Sequence, residues 1–266
     1  MPHTWQWYRD GAAIPGATAR TYTRVGADSG KEITCLSTVN YGSDVLQSLT
    51  RAPDVAAAPI SYTHTDLKSA NDISGAWVSN QYTFTGVSIP NPGAGRLIEV
   101  YVGLHDNSDS IQGITVNGVS SGPPTASAES TDVARVYVFH ATVPLGSSVD
   151  VVLLGNAGIN AISAGIAVAE IFNGQVASTN TDVDNAGTPS TSLSLNQSSN
   201  PSDYVSGFGH VHNGDNWVWT GLTKLAADVD TRSNEWMTIA GASGATTITA
   251  ANNDPLTAAA ISTRYT

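Results

Sequence analysis

Two closely spaced histidines are the residues whose types and spacing best fit metal chemistry. His210 and His212 are separated by one residue, so in a strand both imidazoles lie on the same face. Asp215 follows across an Asn-Gly pair. Two histidines at this spacing can share a metal ion. No third ligand evidently converges on them, so the polar face of a strand is the alternative interpretation, and the sequence assigns no metal site.

Three tryptophans in the same region are candidates for ligand binding. Trp217 and Trp219 alternate around Val218 and therefore share a strand face, and Trp236 follows further along the chain. Flat indole rings stack on sugar rings, and Asp215 can accept hydrogen bonds from sugar hydroxyls. Packing inside the protein and a contact between subunits are the alternative roles for these rings.

Two oxygen-rich segments, residues 106–109 and 182–185, carry side chains that calcium prefers. Neither has the full spacing of an EF-hand loop, and Asp and Asn are equally typical of turns. Calcium is therefore the one cofactor that the sequence leaves open, and no cofactor is predicted.

No catalytic constellation is evident in the sequence. Residues 118–122 match the G-x-S-x-G pattern of a nucleophile elbow, but that pattern needs a following helix, and Pro123 and Pro124 follow instead. Glu99 and Glu170 interrupt apolar strands, and we expect both to face solvent rather than each other across a cleft. The sequence predicts a protein that is not an enzyme.

The composition is typical of an all-β protein. Of the 266 residues, 12% are charged and 25 are glycine, and the net charge is −11. Such a chain suits strands and turns, and its acidity repels phosphate, so nucleic acid is not an expected partner. No apolar run approaches the ~20 residues of a membrane-spanning helix, so membrane insertion is not expected. The single cysteine, Cys35, is expected to be a buried thiol.

Residues 60–266 have the pattern of many short strands. Apolar residues alternate along 97–104 and 165–172, and three Asn-Gly pairs are typical of hairpin turns. Residues 66–70 are compatible with one helical turn. The pattern predicts one large antiparallel β-sandwich of two sheets with a jelly-roll-like topology. No repeat of solenoid period is evident.

The first fifty residues carry the most specific pattern of the chain. An aromatic strand, residues 5–9, is followed by a turn at Asp10-Gly11, by Thr21-Tyr22-Thr23 and by the strand that holds Cys35. This order resembles the bacterial and phage immunoglobulin-like repeats, with the Trp strand, the corner segment and the Cys strand of that sandwich. The resemblance implies an immunoglobulin-like module over residues 1–50, incomplete because the two strands that normally precede the Trp strand are missing.

Residues 51–59 are predicted to be a linker, because Pro53 and Pro59 flank an alanine run. The layout of residues 60–266, with its Trp-Val-Trp-Thr-Gly-Leu strand at 217–222, is similar to β-sandwich domains of phage spike, fibre and tail proteins.

Both resemblances imply a non-enzymatic protein of the virion surface, extracellular after release. It would be a head spike, decoration protein or fibre component that aids attachment to a host. The expected partners are other virion proteins, copies of the chain itself and a host-surface glycan. A carbohydrate-binding module of a bacterial adhesin or secreted protein is the alternative.

Overall fold

The computed structural model divides the chain into two compact units, residues 1–59 and 60–266. It describes residues 3–23, 25–28, 31–41, 44–51, 59–70, 73–105, 109–129, 134–184, 193–195, 200–211, 218–230, 235–243, 248–251 and 258–266. The described residues contain strands and one 3₁₀ turn, Gly26–Asp28, but no α-helix, so the predicted all-β class is confirmed.

The described residues of the first unit form one antiparallel sheet of four strands. Its strands are β1 (His3–Arg9), β2 (Ala12–Ala13), β3 (Ile33–Tyr41) and β4 (Asp44–Arg51), in the order β2-β1-β3-β4. The predicted turn at Asp10-Gly11 joins β1 to β2 with φ values of 45° and 79°, which favour Asp and Gly. Strand β4 continues through Arg51, the first residue of the predicted linker, while residues 52–58 lie outside the described part of the chain.

Trp7 lies directly opposite Cys35 across the β1–β3 pair. The half-buried indole donates from Nε1 to the carbonyl of Ala19 at 3.0 Å, and the ring of Tyr22 lies 5.6 Å away. Cys35 is a buried free thiol, as expected, and burial raises its pKa. This arrangement of a Trp strand beside a Cys strand is what the immunoglobulin-like resemblance implies, and membership of that family stays a prediction.

A buried carboxylate holds the corner segment of this unit. Asp28 accepts hydrogen bonds from Arg9 Nε at 2.7 Å, from the Tyr22 hydroxyl at 2.9 Å and from the Val25 amide at 2.8 Å. Burial raises the pKa of Asp28, but the Val25 amide, Arg9 and Tyr22 together outweigh it, so the pKa lies below its usual value. The charged carboxylate therefore fixes the corner against β1.

The second unit consists of two successive sets of strands, which we name repeat 1 and repeat 2. Repeat 1 contains β5 (Ser61–Ala70), β6 (Gln81–Ser88), β7 (Leu97–His105), β8 (Ile111–Val116), β9 (Val119–Ser120), β10 (Ala126–Glu129), β11 (Ala134–Thr142), β12 (Ser148–Gly155) and β13 (Ser163–Phe172). Repeat 2 contains β14 (Val176–Asp184), β15 (Leu193–Ser194), β16 (Tyr204–Val211), β17 (Val218–Thr220), β18 (Thr223–Asp230), β19 (Glu235–Ser243), β20 (Thr249–Ala251) and β21 (Ala258–Tyr265). The helical turn expected at 66–70 is wrong, because those residues extend β5 along β13.

The two repeats have the same topology. In repeat 1 the sheets run β10-β11-β7-β13-β5 and β6-β12-β8-β9, and in repeat 2 they run β18-β19-β16-β21-β14 and β15-β20-β17. In each repeat the first strand pairs with the last, and the second strand pairs with the strand before the last. This is jelly-roll order, with one further strand at the edge of the larger sheet: β10, the sixth strand of repeat 1, and β18, the fifth strand of repeat 2. Strand β9 has no counterpart among the described residues of repeat 2.

Residues 60–266 therefore contain two sandwiches where the sequence predicted one. In the described part of this unit three buried cores separate four sheets, and the two five-stranded sheets lie face to face in the middle. Central strands such as β7 and β13 are consequently buried on both faces, with burial running through nearly every residue. The alternation of apolar residues in the sequence predicted only one buried face for these strands.

Equivalent residues of the two repeats contact each other at the centre of the unit. The fifth residues of β7 and β16, Tyr101 and Phe208, stack with ring centroids 5.2 Å apart and planes 6° apart. The third residues, Glu99 and Ser206, are hydrogen-bonded at 3.0 Å. Residues that meet their own equivalents lie on a two-fold axis, so the repeats are related by an approximate dyad.

Each repeat carries an ion pair at the same place, but with the charges reversed. Arg96 directly precedes β7 and bonds Glu170 on β13 at 2.9 Å, with both side chains fully buried. Asp203 directly precedes β16 and lies 3.9 Å from Arg264 on β21. Glu170 lies opposite the second residue of β7 and Arg264 opposite the second residue of β16, so the positions match.

The pair in repeat 1 is the better satisfied of the two. The Arg96 guanidinium also donates to the carbonyls of Ile89, Val143, Leu145 and Gly146 at 2.7–3.0 Å, which ties two loops to β7. Glu170 in turn accepts from the amide and side chain of Asn91 at 3.0 and 2.7 Å.

Replacing Glu170 by Gln should destabilise the second unit by about 3 kcal/mol, because it leaves the Arg96 charge buried without a counter-charge. Asp203→Asn, the matched change in repeat 2, should cost about 1 kcal/mol, because that pair is longer and Arg264 is partly exposed. Urea-induced unfolding of both variants measures the difference. Equal losses for the two variants would contradict this account of the pairs.

Candidate functional site

The structure describes only part of the predicted histidine and tryptophan site. His212, Asp215 and Trp217 lie outside the described residues, and of Trp236 only the backbone, in β19, is described. His210 lies on β16 and is 1% exposed, on the face that Phe208 presents to repeat 1. The described residues contain no group of three or more histidine, cysteine or acidic side chains that could hold a metal ion.

Trp219 lies on β17 and packs against the core of repeat 2. Its ring covers Gly207, where an added Cβ would lie 2.9 Å from the indole. The side chain is half-buried, while its neighbour Val218 is 55% exposed. Only part of the Trp219 ring is therefore open to a ligand, and the predicted sugar platform stays a prediction that depends on Trp217.

The acidic residues of the two predicted calcium segments serve as hydrogen-bond acceptors where they are described. Asp109 accepts from the amide of Asn160 at 2.6 Å and from the side chain of Asn156 at 3.4 Å. Asp182 accepts from the amides of Val183 and Ser194 at 2.9 and 2.8 Å. These hydrogen bonds connect loops and neighbouring strands. Asp109 and Asp182 therefore have the turn-forming role that the sequence analysis set against calcium binding.

The G-x-S-x-G segment forms a hairpin between β8 and β9. Asn117 and Gly118 occupy the turn with φ values of 51° and 76°, as a two-residue hairpin loop requires. The hydroxyl of Ser120, the serine of the pattern, accepts a hydrogen bond from the amide of Gly122 at 3.2 Å. The strand-to-helix turn that would expose a nucleophile does not occur at this segment.

The expectation that Glu99 and Glu170 face solvent is wrong. Both are buried, at 0% and 1% exposure. Each carboxylate has polar partners inside the protein. Glu170 binds Arg96, and Glu99 lies between the two repeats.

Glu99 is the centre of a buried polar cluster between the two repeats. Its carboxylate accepts hydrogen bonds from the hydroxyls of Tyr62 at 2.7 Å, Ser206 at 3.0 Å and Tyr265. Ser206 and Tyr265 belong to repeat 2, whereas Glu99 and Tyr62 belong to repeat 1. We name these residues, together with Tyr101 and His140, the Glu99 cluster.

The remaining members extend the cluster in both directions. Tyr101 places its hydroxyl 2.8 Å from Ser206 Oγ and 3.2 Å from Thr263 Oγ1. His140 Nε2 lies 3.0 Å from the Tyr265 hydroxyl, and its Nδ1 lies 2.9 Å from Thr125 Oγ1. Because Tyr265 donates its proton to Glu99, its oxygen accepts from His140, which makes Nε2 of the imidazole a donor.

The electrostatics of the cluster favour a structural role over catalysis. Burial, and then the nearby Glu99 carboxylate, raise the pKa values of Tyr62, Tyr101 and Tyr265 well above the usual value. These hydroxyls therefore stay protonated and act as donors at neutral pH. Since Glu99 is fully buried, the arrangement joins the repeats and offers no reacting group to a substrate.

The described surface also has two adjoining depressions around Tyr82, of about 560 and 420 Å³. They lie on the side of repeat 1 where the edge strands β5 and β6 face each other, and Tyr82 and Thr83 line both. Hydroxyl and amide side chains, among them Ser79, Gln81 and Thr85, line the rest together with apolar residues and Lys68. We name the two depressions together the polar trough.

No family model, no curated protein and no solved structure matches the chain. No helix of the described residues is long and apolar enough to span a membrane.

Sequence reasoning missed the Glu99 cluster because it treated the unit as one sandwich. One signal was available. Residues 63–67, Thr-His-Thr-Asp-Leu, and residues 179–183, Thr-Asn-Thr-Asp-Val, share a pattern in the first strand of each repeat. Asp66 and Asp182 each accept from the next residue's amide at 2.9 Å and from an amide of the second strand at 2.8 Å. That similarity points to a duplicated unit with an interface between its halves.

The stability of the second unit should fall as the pH drops below about 6.5, the usual pKa of histidine. Burial is the main cause that lowers the pKa of His64 on β5, against the opposing effects of a hydrogen bond to Val168 and the charge of Asp66. A histidine whose pKa is lowered in the folded state binds a proton more readily in the unfolded state. Its contribution to the free energy of unfolding is therefore complete above the unfolded-state pKa and is lost as the pH falls. Urea unfolding from pH 8 to pH 5 should therefore show a steeper loss for wild type than for His64→Gln. Parallel curves for the two proteins would rule out this role of His64.

Proposed function

We propose that the chain is a non-enzymatic protein of the surface of a tailed phage or phage-like particle. It would serve as a head spike, decoration or fibre component that aids attachment to a host. The sequence of the first unit supports this through its likeness to immunoglobulin-like repeats. The pairing of the Trp and Cys strands, with β4 beyond them, agrees with that likeness.

The tandem jelly rolls are the observation that carries the proposal. Jelly rolls build viral capsid proteins and lectins, both of which work by binding rather than by chemistry. Here two of them share a buried face, so repeats 1 and 2 form one block without an independent hinge at their contact. A rigid block of this kind suits a surface component that must keep its shape outside a particle.

The buried polar groups also favour binding over catalysis. Glu99 and Glu170, the carboxylates that interrupt central strands, are committed to internal hydrogen bonds and an ion pair. The net charge of −11 disfavours nucleic acid as a partner. We propose other virion proteins and further copies of the chain as its partners, since symmetry multiplies a weak contact into avidity.

A carbohydrate-binding module of an adhesin or secreted protein is the second candidate. The polar trough beside Tyr82 favours it, because an aromatic ring flanked by hydroxyl and amide groups is typical of sugar sites. The same trough, or the segment with Asp215 and Trp217, would hold a host glycan in the first candidate.

Antibodies against the purified chain should label the outside of intact particles in electron micrographs and reduce their adsorption to host cells. Trp217→Ala particles should adsorb more weakly, with a loss of about 1 kcal/mol per site if the ring stacks on a sugar. Val218→Ala is the matched control, because Val218 is exposed on the neighbouring position of β17. Particles that lack the chain and adsorb normally would refute the attachment role. A chain absent from particles that binds glycans as an isolated monomer would favour the second candidate.

A further inference from the structure

The turn between β8 and β9 presents an asparagine side chain that is exposed and uncommitted. Asn117 and Gly118 form this turn, and both residues are exposed. The backbone amide of Asn117 donates to the carbonyl of Asp150 at 3.0 Å, but in the described part of the chain no hydrogen bond holds its side-chain amide. A Cβ built on Gly118 would meet no atom within 4 Å beyond its chain neighbours, so the surrounding space is open.

An asparagine that precedes a glycine can react with its own backbone. The amide nitrogen of the glycine attacks Cγ of the asparagine and loses its proton, the side-chain amide leaves as ammonia, and a five-membered imide forms. Water then opens the imide at either carbonyl, which gives aspartate or isoaspartate and one new negative charge. Glycine favours the reaction because it has no Cβ to obstruct the approach. Water is the only second reactant, so an exposed Asn-Gly pair needs nothing else.

A second Asn-Gly pair, between β13 and β14, is held in a different way. Gly174 is buried, and a Cβ there would lie 3.1 Å from the side chain of Ile171. The next residue, Gln175, exchanges two backbone hydrogen bonds of 3.0 Å with Thr266. Imide formation at Asn173 would rotate a peptide that packs against the core, which close packing resists. The same reaction is therefore hindered at this second turn.

The β8–β9 hairpin, by contrast, can open at low cost. Strand β9 is two residues long and exposed, and it lies at the edge of its sheet in the described structure. It pairs with β8 through two residue pairs, Val116 with Val119 and Thr115 with Ser120. Short pairs at a sheet edge open locally at a much lower free energy than the whole fold. The turn can therefore leave its hairpin conformation and reach the geometry of attack while the sandwich stays folded.

We propose that Asn117 is a site of spontaneous deamidation, and that the burial of Gly174 protects Asn173 from the same reaction. The product places one further negative charge on the β8–β9 turn. Its isoaspartate form routes the main chain through Cβ, which adds one bond to a turn that two residues must close, so the β9 pairing is lost. The reaction thus alters one defined place on the surface of repeat 1. This inference does not depend on the proposed function.

Incubation of the full chain at mildly alkaline pH, followed by peptide mapping with mass spectrometry, tests the proposal. The peptide with Asn117 should acquire the mass of an acid in place of an amide about tenfold faster than the peptide with Asn173, because the second site must first open a buried turn. The chain unfolded in urea is the matched control, and there the two rates should converge. Asn117→Asp provides the aspartate product as a standard. Asn213 and Gly214, a third pair outside the described residues, are measured in a peptide of their own.

Faster reaction at Asn117 in the folded chain, together with equal rates in urea, would support the proposal. An Asn117 that reacts in urea but not in the folded chain would show that the hairpin protects it, and would overturn the proposal. Equal rates at Asn117 and Asn173 in the folded chain would overturn the protection assigned to Gly174. None of these results depends on particle attachment or on self-association.

Discussion

The face-to-face packing of the two five-stranded sheets is the constraint on which the second unit depends. Each sheet is apolar on both faces, so neither jelly roll can be exposed to water without uncovering the inter-repeat core built around Tyr101 and Phe208. Apolar contact alone does not fix the position of one sheet relative to the other. The buried carboxylate of Glu99 fixes that position, because its hydrogen-bond donors come from both repeats and are satisfied in one arrangement only. The hydrophobic contact thus supplies the affinity between the repeats, and the Glu99 cluster sets their register.

The repeats share one topology but differ in their polar interiors. The reversed ion pairs, Arg96 with Glu170 and Asp203 with Arg264, place opposite charges at equivalent positions of the two repeats. His140 lies opposite Glu99 across the β7–β11 pair. At the equivalent position of repeat 2, Gly241 lies opposite Ser206 across the β16–β19 pair. A side chain at Gly241 would clash with the hydroxyl of Tyr204, which occupies the space instead. Repeat 1 supplies the carboxylate of Glu99 and repeat 2 supplies the hydroxyl of Ser206 at the equivalent position, so two unlike residues meet between the repeats.

Much of the fold could be predicted from the sequence, because local patterns determined it. The apolar strands β7 and β13, the hairpin at Asn117-Gly118 and the jelly-roll-like class follow from alternation and turn residues. The edge strands β5 and β14 were missed because they are rich in threonine and other polar residues, and their described side chains are half-buried or exposed rather than alternately buried. The duplication and the burial of Glu99 were missed for a different reason. Both depend on the contact of distant strands, and a glutamate in an apolar strand has the same local pattern whether its carboxylate meets water or three hydroxyl groups.

Native-state hydrogen exchange of the full chain tests most directly whether the two jelly rolls form one cooperative block. The most protected amides should lie in the central strands β7 and β16, because both are covered on two faces. Since the repeats share a buried face, the account predicts that both strands exchange through the same global opening, with equal free energies and the same dependence on denaturant. Amides of β16 that open independently, at a free energy lower than that of β7 by more than about 2 kcal/mol, would contradict the claim that the inter-repeat interface holds the unit together.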